Sequence, residues 1–290
     1  SKIKSFFIFF LVLFLSEIKK KLSNNFLTNG IETPELDARL VLKEVLSFDD
    51  KDLILKENHD ISEELTKKIF AIEARRLRGE PISKIFKKRD FFKSTFIISN
   101  DVLDPRPETE LIVEIANNFI KKNKVKNILD LGTGSGCILL SVLKENKMIN
   151  GLGIDLSKEA INIALKNSKK LQLDKQSNFL ISNWMSSINF RYDIVVSNPP
   201  YIASSDIKKL AEDVKSYDPL LSLDGGDDGL NCYRAIAKDL KRIINKNAII
   251  IVEIGYNQSI SVIEIFKKND FKLIKKYNDI NGLDRVLTFQ

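Results

Sequence analysis

Histidine is almost missing from this sequence. His59 is the only one in 290 residues, and it lies in "LKENHDISEEL", a polar stretch between two helical patterns. It reads as a solvated loop residue. A Ser-His-Asp triad, a histidine general base or a histidine metal site therefore has no side chain to draw on. Cysteine is nearly as scarce. Cys137 and Cys232 stand far apart with no paired spacing, so no disulfide framework and no metal site is expected. This suits a reducing, cytoplasmic setting. A dense basic stripe is lacking too. The formal charge is +7, but the first hundred residues hold 19 Lys/Arg against 15 Asp/Glu and the remainder 27 against 24. Spread this thinly, "EIKKK" and "KKRD" read as solvated faces, and no nucleic-acid substrate is expected.

A membrane-length apolar run is also lacking. Phe6 to Leu15 is unbroken and apolar, but ten residues are too few to cross a bilayer as a helix. Lys2 and Lys4 precede it as in a signal peptide, yet no small-x-small cleavage site follows. The expectation is a buried or partner-packed helix, an atypical start to the chain over 1–16, with no membrane partner.

What is present is an ordinary globular composition, 43% apolar and 29% charged, long enough for a substantial core. Residues 1–85 read as a helical domain. Thr33-Pro34-Glu35 combines a hydroxyl cap, a first-turn proline and an early acid, and Leu36, Leu40, Val41 and Val45 follow at helical spacing. Ser62 opens a second helix carrying Leu65, Ile69 and Ile72, and Gly79-Glu80-Pro81 ends it. Residues 86–104 read as a β-hairpin linker. Over 105–290 strands alternate with helices: "NILDL", "GLGID", "NFLI", "DIVVS" and "AIIIVEI", then "FKLIKKY" and "RVLTF". Helices are expected from near Ser135, Ser157 and Asn231. Such alternation predicts an α/β, doubly wound, largely parallel sheet.

Between the first of these strands and its helix stands "DLGTGSG", residues 130–136. Gly132, Gly134 and Gly136 allow a tight turn and close approach to a ligand. Nineteen residues beyond Gly136, Asp155 ends the next strand, where an acid accepts hydrogen bonds from ribose hydroxyls. The spacing is G-x-G-x-G rather than the dinucleotide G-x-G-x-x-G. Asp130 would repel a pyrophosphate but suits the ammonium of a methionine moiety. The pattern therefore favours S-adenosylmethionine. Trp184, the only tryptophan, follows the third strand, where an adenine would lie.

The fourth strand ends on Asn198-Pro199-Pro200-Tyr201. Neither proline donates a hydrogen bond, and each restricts the residue before it. The result is a fixed pair of acceptors, the Asn198 side-chain oxygen and a backbone carbonyl, beside the Tyr201 ring. Two acceptors suit a planar NH2 group and hold its lone pair towards a methyl donor.

Motifs of this kind act on base amines and on glutamine amides, and by itself the motif does not choose between them. The wider sequence resembles the peptide chain release factor glutamine methyltransferases, from about residue 30 to the end. The matching segments are Gly79-Glu80-Pro81, "PRPETE" (105–110), "DLGTGSG", "NPPY", "LDGGDDGL" (223–230), "EIGYNQ" (253–258) and "DINGLDR" (279–285), in that order. The resemblance implies a Rossmann-like class I S-adenosylmethionine-dependent methyltransferase domain with a seven-stranded, mostly parallel sheet, preceded by a helical domain that docks the substrate protein. It implies methylation of the glutamine side chain in the Gly-Gly-Gln motif of class I release factors by a monomer. Gly132, Thr133, Gly134, Ser135, Gly136, Asp155, Trp184 and Asn198 would serve the cofactor, joined by Asp130 from its position. Asn198, Pro199, Pro200 and Tyr201 would serve the substrate glutamine. A ribosomal-protein glutamine shares this chemistry as an alternative substrate, as does an exocyclic amine of a nucleic acid. Two segments depart from the family pattern: Asp218 stands where glutamate is usual, and "ISKIFKKRDFF" is a weak match.

Overall fold

The computed structural model describes residues 13–290. The chain divides into two compact units, with the boundary between Phe86 and Lys87. The first unit begins with a two-residue strand, β1 (Leu13–Phe14), followed by helices α1 (Leu15–Thr28), α2 (Pro34–Leu46) and α3 (Asp50–Leu55). A second short strand, β2 (Asp60–Ile61), then leads to α4 (Glu63–Leu77) and α5 (Ile82–Phe86). Leu15, Ile18, Leu22 and Phe26 form one apolar stripe of α1 and are all buried against Ala38, Val41 and Leu42 of α2 and Ile69 of α4.

Two sequence expectations change here. Of the apolar run expected to be helical, Phe6 to Val12 lie outside the described residues, while Leu13 and Phe14 are strand and pair antiparallel with Ile61 and Asp60. The helix starts only at Leu15. Its first amides already have partners, because Leu15 N–H donates to the His59 carbonyl and Ser16 N–H to that of Glu57, both at 3.0 Å. The loop around His59 thus closes over the start of α1. Thr33 precedes α2 but does not cap it; its hydroxyl donates to Asp37 at 3.0 Å. Ser62 does cap α4, accepting from Leu65 N–H at 3.3 Å.

Asp37 also accepts from Arg76 Nε at 2.7 Å, and the two side chains are only 8% and 12% exposed. A nearly dry ion pair costs most when one partner is removed. Asp37→Ala is expected to destabilise this unit by about 3 kcal/mol, read as a lowered denaturation midpoint. An unchanged midpoint would contradict this reading.

The second unit opens with the hairpin β3 (Lys88–Phe91) and β4 (Ser94–Ile97). Phe91 and Phe96 are buried in the core that also holds Ile112 and Ile128, so the hairpin is packed against this unit's sheet. A single 3-10 turn, Pro107–Thr109, leads into α6 (Glu110–Lys122). Alternation then begins with β5 (Asn127–Leu131), α7 (Cys137–Glu145), β6 (Asn150–Asp155), α8 (Lys158–Lys170), β7 (Ser177–Ile181) and β8 (Tyr192–Ser197). The chain ends with α9 (Glu212–Tyr217), α10 (Asn231–Ile243), β9 (Ile244–Glu253), α11 (Ser259–Lys268), β10 (Leu273–Asn278) and β11 (Asp284–Phe289). Among the described residues, no helix is long and apolar enough to cross a membrane.

The seven strands run in the order β10-β11-β9-β8-β5-β6-β7, all in one direction except β11, which is antiparallel to both its neighbours. Two apolar clusters flank the sheet, as its near-continuous strands require. The chain winds outward from β5 through β6 to β7, then returns to lay β8 on the other side of β5. This reversal is the topological switch point, where a doubly wound sheet opens a crevice at its carboxyl edge. Leu131 pairs with Ser197 there, and the Ser197 hydroxyl donates to the Leu131 carbonyl at 2.8 Å. The glycine loop and Asn198-Pro199-Pro200-Tyr201 leave the sheet from these two adjacent ends.

Candidate active site

The glycine loop is shaped by backbone geometry. Gly132, Gly134 and Gly136 all have positive φ, between 54° and 78°. Gly136, at +78°, cannot join the helix, so α7 starts at Cys137 rather than near Ser135. A cavity of about 380 Å³ lies beyond this turn. Its wall includes Gly132, Thr133, Gly134, Ser135, Asp155, Trp184, Asn198 and Pro200, eight of the residues expected from the sequence.

Asp155 sits at the tip of β6 with both oxygens engaged: Oδ2 accepts from Gly134 N–H and Oδ1 from Ser157 N–H, each at 2.9 Å. Burial raises its pKa, against the pull of these amides. Trp184 has φ +48°, fixed in part by the Ser182 hydroxyl donating to its carbonyl at 2.9 Å. It lines the cavity and packs against the apolar cluster that includes Met185 and Ile188.

Asp130 and Gly136 do not reach the cavity wall. Asp130 is fully buried, with Oδ2 accepting from the Thr133 hydroxyl at 2.6 Å and Oδ1 without a hydrogen-bond partner. Burial pushes its pKa up to about 7, and the neighbouring Asp155 charge adds to this. Thr133, which Asp130 holds, does line the cavity. The carboxylate stands one layer behind the wall, holding Thr133 by its hydroxyl.

A second, smaller cavity of about 90 Å³ shares Leu103, Arg106, Asn198 and Ser222 with the first. Pro199 and Tyr201 line this one, with Arg106, Val214 and Leu223. Asn198 borders both cavities. Its Nδ2 donates to the Thr109 hydroxyl at 3.2 Å, and that hydroxyl donates to Glu253 Oε2 at 2.7 Å. The Tyr201 carbonyl accepts from Gln258 Nε2 at 2.9 Å. Burial raises the Tyr201 hydroxyl pKa, so the ring is neutral at ordinary pH. Arg106 donates to Asp218 Oδ2 at 2.8 Å, while Asp218 Oδ1 accepts from Asp104 N–H at 3.0 Å. The aspartate at 218 is therefore long enough to anchor the wall segment that carries Arg106.

Sequence reasoning singled out neither Thr109 nor Glu253 for the site. Thr109 lies inside "PRPETE" and Glu253 opens "EIGYNQ", so both strings carried the signal, but their pairing crosses 144 positions. No spacing rule connects them.

The residues present fit S-adenosylmethionine. The crevice offers a carboxylate at a strand tip for the ribose, a ring for the adenine, and a loop free of side chains at the glycines. Comparison with known proteins agrees. The family described as "Methyltransferase small domain" matches residues 91–214, and "PrmC N-terminal domain" matches 17–86. A release factor glutamine methyltransferase of Agrobacterium fabrum is 38% identical over 90% of this chain and 92% of its own length. Its counterpart in Caulobacter vibrioides is 36% identical, covering 89% and 90%. Among solved structures, the hMettl16 catalytic domain in complex with MAT2A 3′UTR hairpin 6 superposes with a TM-score of 0.56 at 14% identity, covering 75% of this chain and 81% of that one, and shares the fold.

The chain is thus a class I S-adenosylmethionine-dependent methyltransferase with an N-terminal helical unit. Within that class it belongs to the release factor glutamine methyltransferase family.

Proposed function

We propose that the protein methylates the side-chain amide nitrogen of the glutamine in the Gly-Gly-Gln motif of class I release factors, and so tunes translation termination. The observation that carries this reading is the place of Asn198 in the walls of two cavities, one lined by the glycine loop and Asp155 and one by Pro199 and Tyr201. With Nδ2 occupied by Thr109, Asn198 keeps Oδ1 as an acceptor. No hydrogen bond from the described residues ends on the Pro199 carbonyl. These two acceptors, one side-chain and one main-chain, grip an amide NH2 and fix its plane, while Tyr201 covers it and keeps water out.

When bound, S-adenosylmethionine supplies an electrophilic methyl on sulfur. Asn198 Oδ1 and the Pro199 carbonyl would accept the amide N–H groups and hold the nitrogen lone pair towards that methyl, and the proton displaced by methylation would leave to solvent. The Asn198 oxygen and the prolyl carbonyl stabilise the positive charge that grows on nitrogen. In this reading Asp155 accepts from the ribose hydroxyls and Trp184 stacks on the adenine. Gly132 and Gly134 bring the backbone close to the methionine portion, with Thr133 and Ser135 beside them, and Gly136 turns the chain into α7. The helical N-terminal unit docks the factor. Incubating a purified release factor with enzyme and cofactor, then fragmenting its peptides in a mass spectrometer, tests the assignment. Methyl on the Gly-Gly-Gln glutamine supports it, and methyl on another side chain overturns it.

A further inference from the structure

We propose that Glu253 and Thr109 are positioning residues that set which way the Asn198 amide faces, so that Oδ1 rather than Nδ2 meets the substrate amine. An asparagine offers two donors at one end and an acceptor at the other, and only the acceptor end suits an NH2 group. Nothing in the prolines decides between these ends. The relay behind Asn198 does. A carboxylate only accepts, so the Thr109 hydroxyl must give its proton to Glu253 at 2.7 Å. What Thr109 then turns towards Asn198 is a lone pair, which accepts from Nδ2 at 3.2 Å. Oδ1 is left for the substrate. If Glu253 carries a proton, it can donate to Thr109 instead, Thr109 can donate to Oδ1, and the flipped amide faces the substrate with N–H groups that repel it.

Glu253 is fully buried at the end of β9. Charged and titratable groups face it from each neighbouring element: Glu108 from the 3-10 turn, Arg285 from β11, Tyr201 from the motif and Tyr233 from α10, whose hydroxyl donates to the Glu253 carbonyl at 2.9 Å. Burial raises the carboxyl from its usual range to about 7, opposed by the Thr109 hydroxyl and the Arg285 guanidinium and reinforced by Glu108. A raised carboxyl pKa means the working, ionised form dominates above about 7 and is lost as the pH falls through it.

This rests on the glutamine-amide reading above. The test is kcat against pH at saturating S-adenosylmethionine with a purified release factor, beside cofactor affinity by titration. Glu253→Gln mimics the protonated acid, and Thr109→Val breaks the relay at nearly constant volume. Each is expected to lower kcat by on the order of tenfold and to remove the rise near neutral pH, and Glu253→Gln, which lies off the cofactor cavity, to leave cofactor affinity unchanged. Thr109→Ser is expected to keep both rate and pH profile. The proposal is overturned if Glu253→Gln and Thr109→Val retain the wild-type kcat and pH rise, or if the rate and cofactor affinity of Glu253→Gln fall together. A wild-type enzyme that leaves the release factor unmethylated overturns the glutamine reading itself, and this proposal with it.

Discussion

Replacing Asn198 with alanine is expected to slow methyl transfer on the order of 100-fold or more, with a modest loss of cofactor affinity. The side chain contributes one of two preorganised acceptors, and removal of one such group from a water-poor site costs about 3 kcal/mol of transition-state stabilisation. Its partner network would survive the change, because Thr109 still donates to Glu253. Pro199, Pro200 and the Tyr201 carbonyl held by Gln258 also stay in place. The loss should therefore fall on kcat, not on folding. Single-turnover labelling with saturating cofactor measures it directly. A rate within about threefold of wild type would mean that the Asn198 oxygen does not hold the reacting amine.

Asp155→Ala is expected to weaken S-adenosylmethionine binding by on the order of 10- to 100-fold, because hydrogen bonds to a charged acceptor contribute roughly 1.5–3 kcal/mol each. The same carboxylate joins the glycine loop to α8 through Gly134 and Ser157, so the variant also frees two amides that shape the crevice. Once saturated with cofactor, it should recover most of its rate, since Asp155 lies away from Asn198's second cavity. Burial raises the Asp155 pKa, so protonation reaches it at a higher pH than it would an exposed aspartate. Cofactor affinity is accordingly expected to decline on acidification, and that decline should be missing in Asp155→Ala. Calorimetric titration reads both effects. An unchanged dissociation constant would remove the ribose assignment.

The parts of this architecture that are local in the chain were the legible ones. "NILDL", "GLGID" and "DIVVS" read as buried parallel strands because they are short apolar runs ended by glycine, acid or proline, and they are strands. The glycine loop and Asn198-Pro199-Pro200-Tyr201 declared themselves through residues whose backbone options are few. What stayed hidden depends on distant partners. Leu13 and Phe14 look like helix by apolarity, yet an edge offered by Asp60 and Ile61 makes them strand. Thr33 looks like a cap, but Asp37 competes for its hydroxyl. Asp130 looks exposed at a strand end, and only the turn of the loop shows that it is enclosed. Thr109 and Glu253 meet across the α6–β9 contact, which follows from the sheet order and not from either neighbourhood.

The function turns on which macromolecule receives the methyl group. Purified protein, labelled S-adenosylmethionine and an extract from cells lacking this activity would decide it. The expected result is label in a single protein of release-factor size, abolished when the Gly-Gly-Gln glutamine is replaced. Label in a nucleic acid or in a ribosomal protein would contradict the claim, even though the cofactor and the amine chemistry would stand.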